Sequence, residues 1–303
     1  MVSGVSPGRR AVLATVAAGL ATGTGCVGGL AGAGELAVSL LAAGSLNNAF
    51  EHGLAPSTDH EVQIEARGSA EAARLVADGV KDPAIVSLAD VALFDGPLAP
   101  DWYAEFATNS LVLAYNAETA GGERVATAGR ERWYEPLLAD EVSLGRTDPD
   151  LDPLGYRTLF ALELATEHYD LETELRTAIP ERDQRFPETQ LVSQFETGAI
   201  DAAFTYRNMA VERGYDYVDL PSAIDLGDPA AAETYASVSY ELPSGKVVEG
   251  APISYGSTIR RQSPAAFDVF EAQCHGAYLT EAGFGVPEDY PRFRGDAPEQ
   301  LTG

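Results

Sequence analysis

A chain of 303 residues with 45% hydrophobic and 9% aromatic content is long enough for two lobes with proper cores, and too apolar to stay disordered. Lys+Arg 20 against Asp+Glu 46 gives a net charge of -26. The charge is spread along the chain, which excludes nucleic acid as a partner, because a phosphate backbone calls for a basic surface. With lysine scarce, this bias reads as the hydrated surface of a protein adapted to strong salt, the alternative being an ordinary acidic protein.

Arg9 and Arg10 precede a small, apolar run from Ala11 to Leu20, and no acidic residue appears before Glu35. In form this is a twin-arginine export signal, too short and too rich in Ala and Gly for a membrane span. Thr24-Gly25-Cys26 then reads as a lipobox, with Gly23 in place of the usual aliphatic residue. The expected organisation is a signal segment over 1–25 and a linker over 26–34, with a lipid on Cys26 holding the exported chain on the outer face of the membrane. Cys274 is the only other cysteine and lies in an apolar helical stretch, so it is expected in the core with no internal disulfide. Four scattered histidines and two cysteines assemble no zinc or haem site, and no cofactor is expected.

From Glu35 to Ser110 the pattern is strand, helix, strand, helix, strand. Strands are expected over Leu36 to Leu41, Val62 to Ala66 and Ile85 to Leu88, with helices over Leu46 to Leu54 and Ala70 to Gly79. Such alternation implies a parallel sheet. Phe106 to Tyr115 reads as extended, with a helix and a strand around Glu131 to Leu144. Further helices follow over Gly155 to His168, Glu188 to Gly198 and Arg207 to Arg213, with a strand over Ala202 to Tyr206. The segments from Tyr215 to Leu220, Tyr235 to Tyr240 and Val247 to Ile253 are β-rich, and a long helix is expected over Pro264 to Ala282. The chain reads as two α/β lobes: a discontinuous first lobe of 35–105 and 215–303, and a second of 106–214. Ligands would then bind in the cleft at the carboxyl ends of strands.

Two strand-to-helix turns share one form, Gly44-Ser45 and Gly68-Ser69. Gly admits close backbone approach, and Ser offers a hydroxyl and an amide at a helix start, where unpaired N–H groups and the helix dipole attract an oxyanion. An acidic protein can thus bind an anion with dipoles alone. Plain N-capping is the alternative for both serines. The second lobe adds Thr108-Asn109-Ser110 and the stretch from Thr147 to Arg157, in which Asp152-Pro153 is a good helix start. Asp152 either only caps, or points its carboxylate at the metal centre of an oxometalate, an arrangement that would repel sulfate. Glu188, after Pro187 at another helix start, poses the same choice.

On these residues the chain resembles the archaeal molybdate/tungstate-binding proteins of ABC importers, over about Leu36 to Asp296. The resemblance is carried by Gly44-Ser45-Leu46, Gly68-Ser69, Ala89-Asp90-Val91, Phe106 to Tyr115, Trp133-Tyr134, Gly145 to Arg157, Pro187 to Leu191, Gly198 to Tyr206, Leu220-Pro221 and Tyr255 to Ile259. The segment from Asp148 to Arg157 is the most diagnostic. The resemblance implies a two-lobed type II periplasmic-binding-protein fold, each lobe a mixed, mainly parallel sheet flanked by helices. It implies that molybdate or tungstate is held by Ser45, Ser69 and Tyr206, with Asp152 and Glu188 completing a six-coordinate site; Asn109 and Ser110 are further candidates, as polar residues that the second lobe adds. The partners it implies are a small oxyanion and a membrane permease with its ATPase, and a monomer is expected. One departure is a stretch between Tyr169 and Arg185 shorter than the family's.

Other readings are a binder of another tetrahedral oxyanion such as sulfate, a cell-surface lipoprotein without a small ligand, and an enzyme. The sequence offers no Gly-x-Ser-x-Gly elbow or phosphate loop, and its many carboxylates do not single out an acid–base pair.

Overall fold

The computed structural model describes residues 37–303 apart from 97, 151, 180–184, 187, 244, 246 and 303, and leaves out the side chains of Glu188 and Thr189. The expected signal segment, Cys26 and the linker lie outside the described residues.

Thirteen strands among the described residues form two large sheets and a hairpin. Strands β1 (Val38–Ala43), β2 (Val62–Arg67), β3 (Ile85–Leu88) and β4 (Trp102–Asn109) belong to the first sheet. Strands β5 (Leu111–Tyr115), β6 (Leu144–Thr147), β7 (Arg185–Phe186), β8 (Ala202–Tyr206) and β9 (Asp216–Asp219) make the second. Strands β10 (Ser239–Glu241) and β11 (Val247–Glu249) pair as the hairpin, and β12 (Ile253–Ile259) and β13 (Arg292–Gly295) return to the first sheet.

The first sheet runs β13-β4-β12-β3-β1-β2 and the second β7-β6-β8-β5-β9. In the first, β1 pairs in parallel with β2 and β3, while β12 and β4 bring antiparallel pairing. In the second, β6 pairs in parallel with β7 and β8, and β5 is antiparallel to β8 and β9. Each sheet is therefore mixed, and its parallel part is made of strands that feed into helices. Strands buried on both faces explain the unbroken apolar runs: β3 and β8 are buried throughout.

The segment read as one extended run around Phe106 is two strands in different sheets, with only Ser110 between β4 and β5. The chain comes back after β9, since Asp216–Asp219 still pairs with β5. The returning stretch runs beside the first crossing, where Leu111 N donates to Asp225 O (2.7 Å) and Ile253 N to Leu226 O (2.8 Å). The sheets thus change hands at 109–111 and after 219, a few residues beyond the boundaries read from the sequence.

The helical stretch Ala120–Arg132, kinked at Gly129 (φ 63°), starts about three turns before the helix expected near Glu131. Thr119 caps it by accepting from Gly122 N, and the Gly121-Gly122 pair, which argues locally against a helix, lets it lie against Asn116 and Asp201. Gly276 ends the last long helix at Pro264–His275, seven residues earlier than expected, and a short turn over Tyr278–Glu281 follows. The stretch 44–57 is not one α-helix but a continuous run of 3-10, α and π turns. The largest apolar cluster passes through both sheets, from Leu40, Phe50, Phe106 and Phe270 to Leu113, Trp133, Phe160 and Phe204, with smaller clusters around Val86 and Phe195. Cys274 is buried in it and unbridged, and burial pushes its thiol pKa up. Among the described residues no helix is long and apolar enough to cross a membrane.

Candidate functional site

Turns at the carboxyl ends of the parallel strands of both sheets meet where Arg157, beyond β6, bonds Ala89, beyond β3, and Ser45, Ser69, Asp152 and Tyr206 lie on such turns. Ser45 follows β1, and Ser69 follows β2 as the first residue of the helix Ser69–Ala77. A Cβ built on Gly44 or Gly68 would meet nothing within 4 Å, so both turns expose bare backbone to open space, where a ligand can approach closely. Neither serine makes a side-chain cap to its own helix. Ser45 Oγ lies 2.9 Å from the Tyr255 hydroxyl, and Ser69 Oγ accepts from Ala89 N (3.0 Å). Plain N-capping is therefore not what these hydroxyls do.

From the second sheet, Asp152 stands before the buried helix Pro153–His168, and Tyr206 ends β8. Asp152 Oδ1 accepts from Leu154 N (2.7 Å), so the carboxylate does cap the helix. It is half-buried and borders a cleft cavity of about 490 Å³ shared with Asp90, Tyr156, Arg157 and the hairpin residues Val248 and Glu249. Burial raises its pKa above the ordinary carboxylate range, opposed by the Leu154 amide and the charge of Arg157. Tyr206 is 5% exposed, and burial holds its phenol well above the usual tyrosine range. Its hydroxyl accepts from Arg157 Nη1 (2.7 Å), so it is a neutral, fixed group rather than a base.

A thread of contacts joins the two sides. Ser69 Oγ holds Ala89 N, the Ala89 carbonyl accepts from Arg157 Nη2 (3.4 Å), and Arg157 holds Tyr206. Tyr206 lies in the electrostatic field of both Asp152 and Tyr255, and Tyr255 contacts Ser45. Hydrogen bonds thus link Ser69 to Tyr206 through Ala89 and Arg157, while Ser45 is held by Tyr255 and Asp152 by its own helix start.

Asn109 and Ser110 sit differently. Asn109 is 2% exposed and donates to Asn208 Oδ1 (2.7 Å) and the Tyr255 hydroxyl (3.0 Å), while its Oδ1 accepts from Ser110 N (2.9 Å). Both ends of its amide are occupied within the protein, at the crossing between the sheets. Ser110 is half-buried there, and its carbonyl accepts from Arg207 N (2.9 Å). Glu188 opens the helix Glu188–Glu196 just beyond β7, at the same edge of the second sheet as Asp152; its side chain lies outside the described residues.

Arg157, Tyr255 and Asn208 also hold these residues in place, and no local pattern in the sequence marks that role. Asn208 donates to the Ser45 carbonyl (2.8 Å) and lies wholly buried beside Asn109. Polar side chains next to strand ends were a signal in the sequence, but their partners lie 49 to 210 positions away. Among the described residues no group of His, Cys, Asp or Glu is built to hold a metal ion.

Two mixed sheets joined by adjacent crossings, with facing turns at the carboxyl ends of their parallel strands, define a solute-binding protein of the type II periplasmic class. The chain belongs to the bacterial extracellular solute-binding protein family, whose profile matches residues 38–273. It is 52% identical over 294 residues to a Haloferax volcanii protein provisionally named an ABC transporter molybdenum-binding protein, covering 96% of this chain and 95% of that one. It is 36% identical over 228 residues to the molybdate/tungstate-binding protein WtpA of Thermococcus kodakarensis, covering 67% and 64%. Among solved structures it resembles the Azotobacter vinelandii periplasmic molybdate-binding protein (TM-score 0.52, 15% identity, 83% of this chain and 100% of that one). A similar likeness holds for the sulfate-binding protein SubI of Mycobacterium tuberculosis (TM-score 0.57, 14% identity, 84% and 88%), so at this distance the fold alone is shared.

Proposed function

We propose that this protein is an exported, membrane-tethered binding protein that captures molybdate or tungstate in the cleft between its sheets and delivers it to an ABC permease. The observation that carries the reading is the hydrogen-bonded thread from Ser69 through Ala89 and Arg157 to Tyr206, beside a cavity that Arg157 and Asp152 both border. It joins donors from two sheets around one cleft, as a small, compact ligand requires. The names of the relatives in Haloferax and Thermococcus support an oxometalate. Asp152 supports it chemically: a carboxylate among the ligands repels sulfate but can enter the expandable coordination shell of tungsten or molybdenum.

Ser45 and Ser69 supply hydroxyl and backbone donors, Tyr206 a neutral hydroxyl, and Asp152 with Glu188 the two carboxylates of a six-coordinate site. Two lobes, exchanging at 109–111 and after 219, close on the anion because it touches both, and the closed form is the one the permease reads. The chain carries no chemistry of its own in this reading: it binds and releases as a monomer, held to the outer membrane face by lipid on Cys26.

Calorimetry and thermal unfolding in strong salt with tungstate, molybdate, sulfate and phosphate test the proposal. Ligand at 100 times its Kd stabilises the native state by about 2.7 kcal/mol. Tungstate and molybdate are expected to raise Tm, and Asp152→Ala or Glu188→Ala to weaken tungstate far more than sulfate. Equal losses on both anions would make the carboxylates mere helix caps, and no shift with any oxyanion would favour a surface lipoprotein without a ligand. Cys26→Ser is expected to release the exported protein from the membrane fraction.

A further inference from the structure

Arg157 is 7% exposed in a chain whose net charge is -26. It stands one turn into the helix Pro153–His168, and its guanidinium spans the cleft. Nη1 donates to the Tyr206 hydroxyl at the end of β8 in the second sheet (2.7 Å), and Nη2 to the Ala89 carbonyl just after β3 in the first (3.4 Å). The amide of that same Ala89 is held by Ser69 Oγ. One side chain therefore ties together a ligand turn of each sheet. These bonds use two of five guanidinium donors, and Arg157 also borders the cleft cavity. Among the described residues it is in no salt bridge; Asp90 and Asp152 act on it only at a distance.

A buried cation without a bonded carboxylate is costly unless something else balances it. A dianion in the cleft does so, and the cation in turn offsets the repulsion between that dianion and the carboxylates around it. We infer that Arg157 is the charge-matching and latching residue of the cleft: it sets the preference for a doubly charged oxyanion and couples its capture to closure of the two sheets. The inference rests on the proposed oxyanion site and adds to it a residue that the helix and turn arguments do not need.

The requirement is for charge and reach together. Lysine keeps the charge but, as a point donor, does not hold two acceptors in a fixed fork. Tungstate and perrhenate binding are compared in the full-length protein and in Arg157→Lys and Arg157→Met, with thermal unfolding of each variant as a check on folding. Arg157→Met is expected to lose about 100-fold or more on tungstate, as removal of a buried charged partner does, and Arg157→Lys about tenfold. Perrhenate has the same tetrahedral form with one charge, and its affinity is expected to change much less in both. Equal losses in Lys and Met variants, or equal losses on both anions, would reduce Arg157 to a packing residue and overturn the inference. Should Arg157→Met fail to fold, Arg157→Lys carries the test through its tungstate-to-perrhenate ratio, and an unchanged ratio overturns it. A wild-type protein that binds neither tungstate nor molybdate would instead overturn the proposed function.

Discussion

Tyr255 serves two neighbours at once: its hydroxyl lies 2.9 Å from Ser45 Oγ and accepts from Asn109 Nδ2 at 3.0 Å. The ring is wholly buried against Phe106 and Phe284, so the hydroxyl is aimed by apolar packing. Tyr255→Phe keeps that packing and leaves Ser45 Oγ without this partner. The expected cost is about 1 kcal/mol in chemical denaturation, with a loss of roughly tenfold in tungstate affinity as the serine rotor loses its orientation. Retention of full affinity would mean that Ser45 is positioned by its backbone alone. Asn208 shows why the sequence hid such residues. Its neighbours in the chain suggest a helix start and nothing more, whereas its function comes from Ser45 O, 163 positions away.

At the scale of elements, the start of the Pro153–His168 helix depends on Gly155. A Cβ there would lie 2.5 Å from the backbone of Asp148 and Pro149, so only glycine lets the helix pack against the strand-end turn that precedes it. Gly155→Ala must push Asp152 and Arg157 outward together. A loss of about 1–3 kcal/mol in stability is expected, with tungstate binding reduced beyond what the loss of folded protein explains. The helix Arg207–Arg213 makes a different prediction. Burial raises the Glu212 pKa to about 7, opposed by the nearby Asn208 and Asn48 amides and the charge of Arg213, and its Oε1 is buried without a hydrogen-bond partner. The unfolded value is about 4.3, so between these values the native state holds a proton that the unfolded chain has released. The stability this group contributes is full below about pH 4.3 and lost as pH rises through about 7. Between pH 5 and 8 the wild-type Tm is expected to fall further than that of Glu212→Gln; parallel curves would refute the assignment. Asp225, raised to about 6 by burial, adds a slope of the same sign to both proteins.

For the whole molecule, the net charge of -26 governs how stability responds to salt. Self-repulsion acts against the compact state and fades as salt shortens the Debye length from about 10 Å at 0.1 M to about 3 Å at 1 M. Tm is expected to rise steeply over that range in potassium chloride, as screening relieves that repulsion. A flat response would place the acidic residues too far apart to matter. In the proposed site the donors are backbone amides, hydroxyls and one buried guanidinium, which salt screens far less than surface charges.

The sequence alone determined much of this protein. Binary patterning places β3 and β8, the Arg207–Arg213 helix and the buried Cys274, since each depends on local periodicity and composition. The Gly-Ser turns and the Asp152-Pro153 start are likewise legible, because turn and cap chemistry acts within a few residues. The tertiary structure alone decided where the chain changes sheets, because Phe106 and Leu113 are equally apolar and only hydrogen-bonded partners distinguish their strands. It also decided that Asn109 is spent on Asn208 and Tyr255, and that Arg157 reaches from Tyr206 to Ala89. Those roles are set by groups brought together across the fold, and no local pattern encodes a partner that distant.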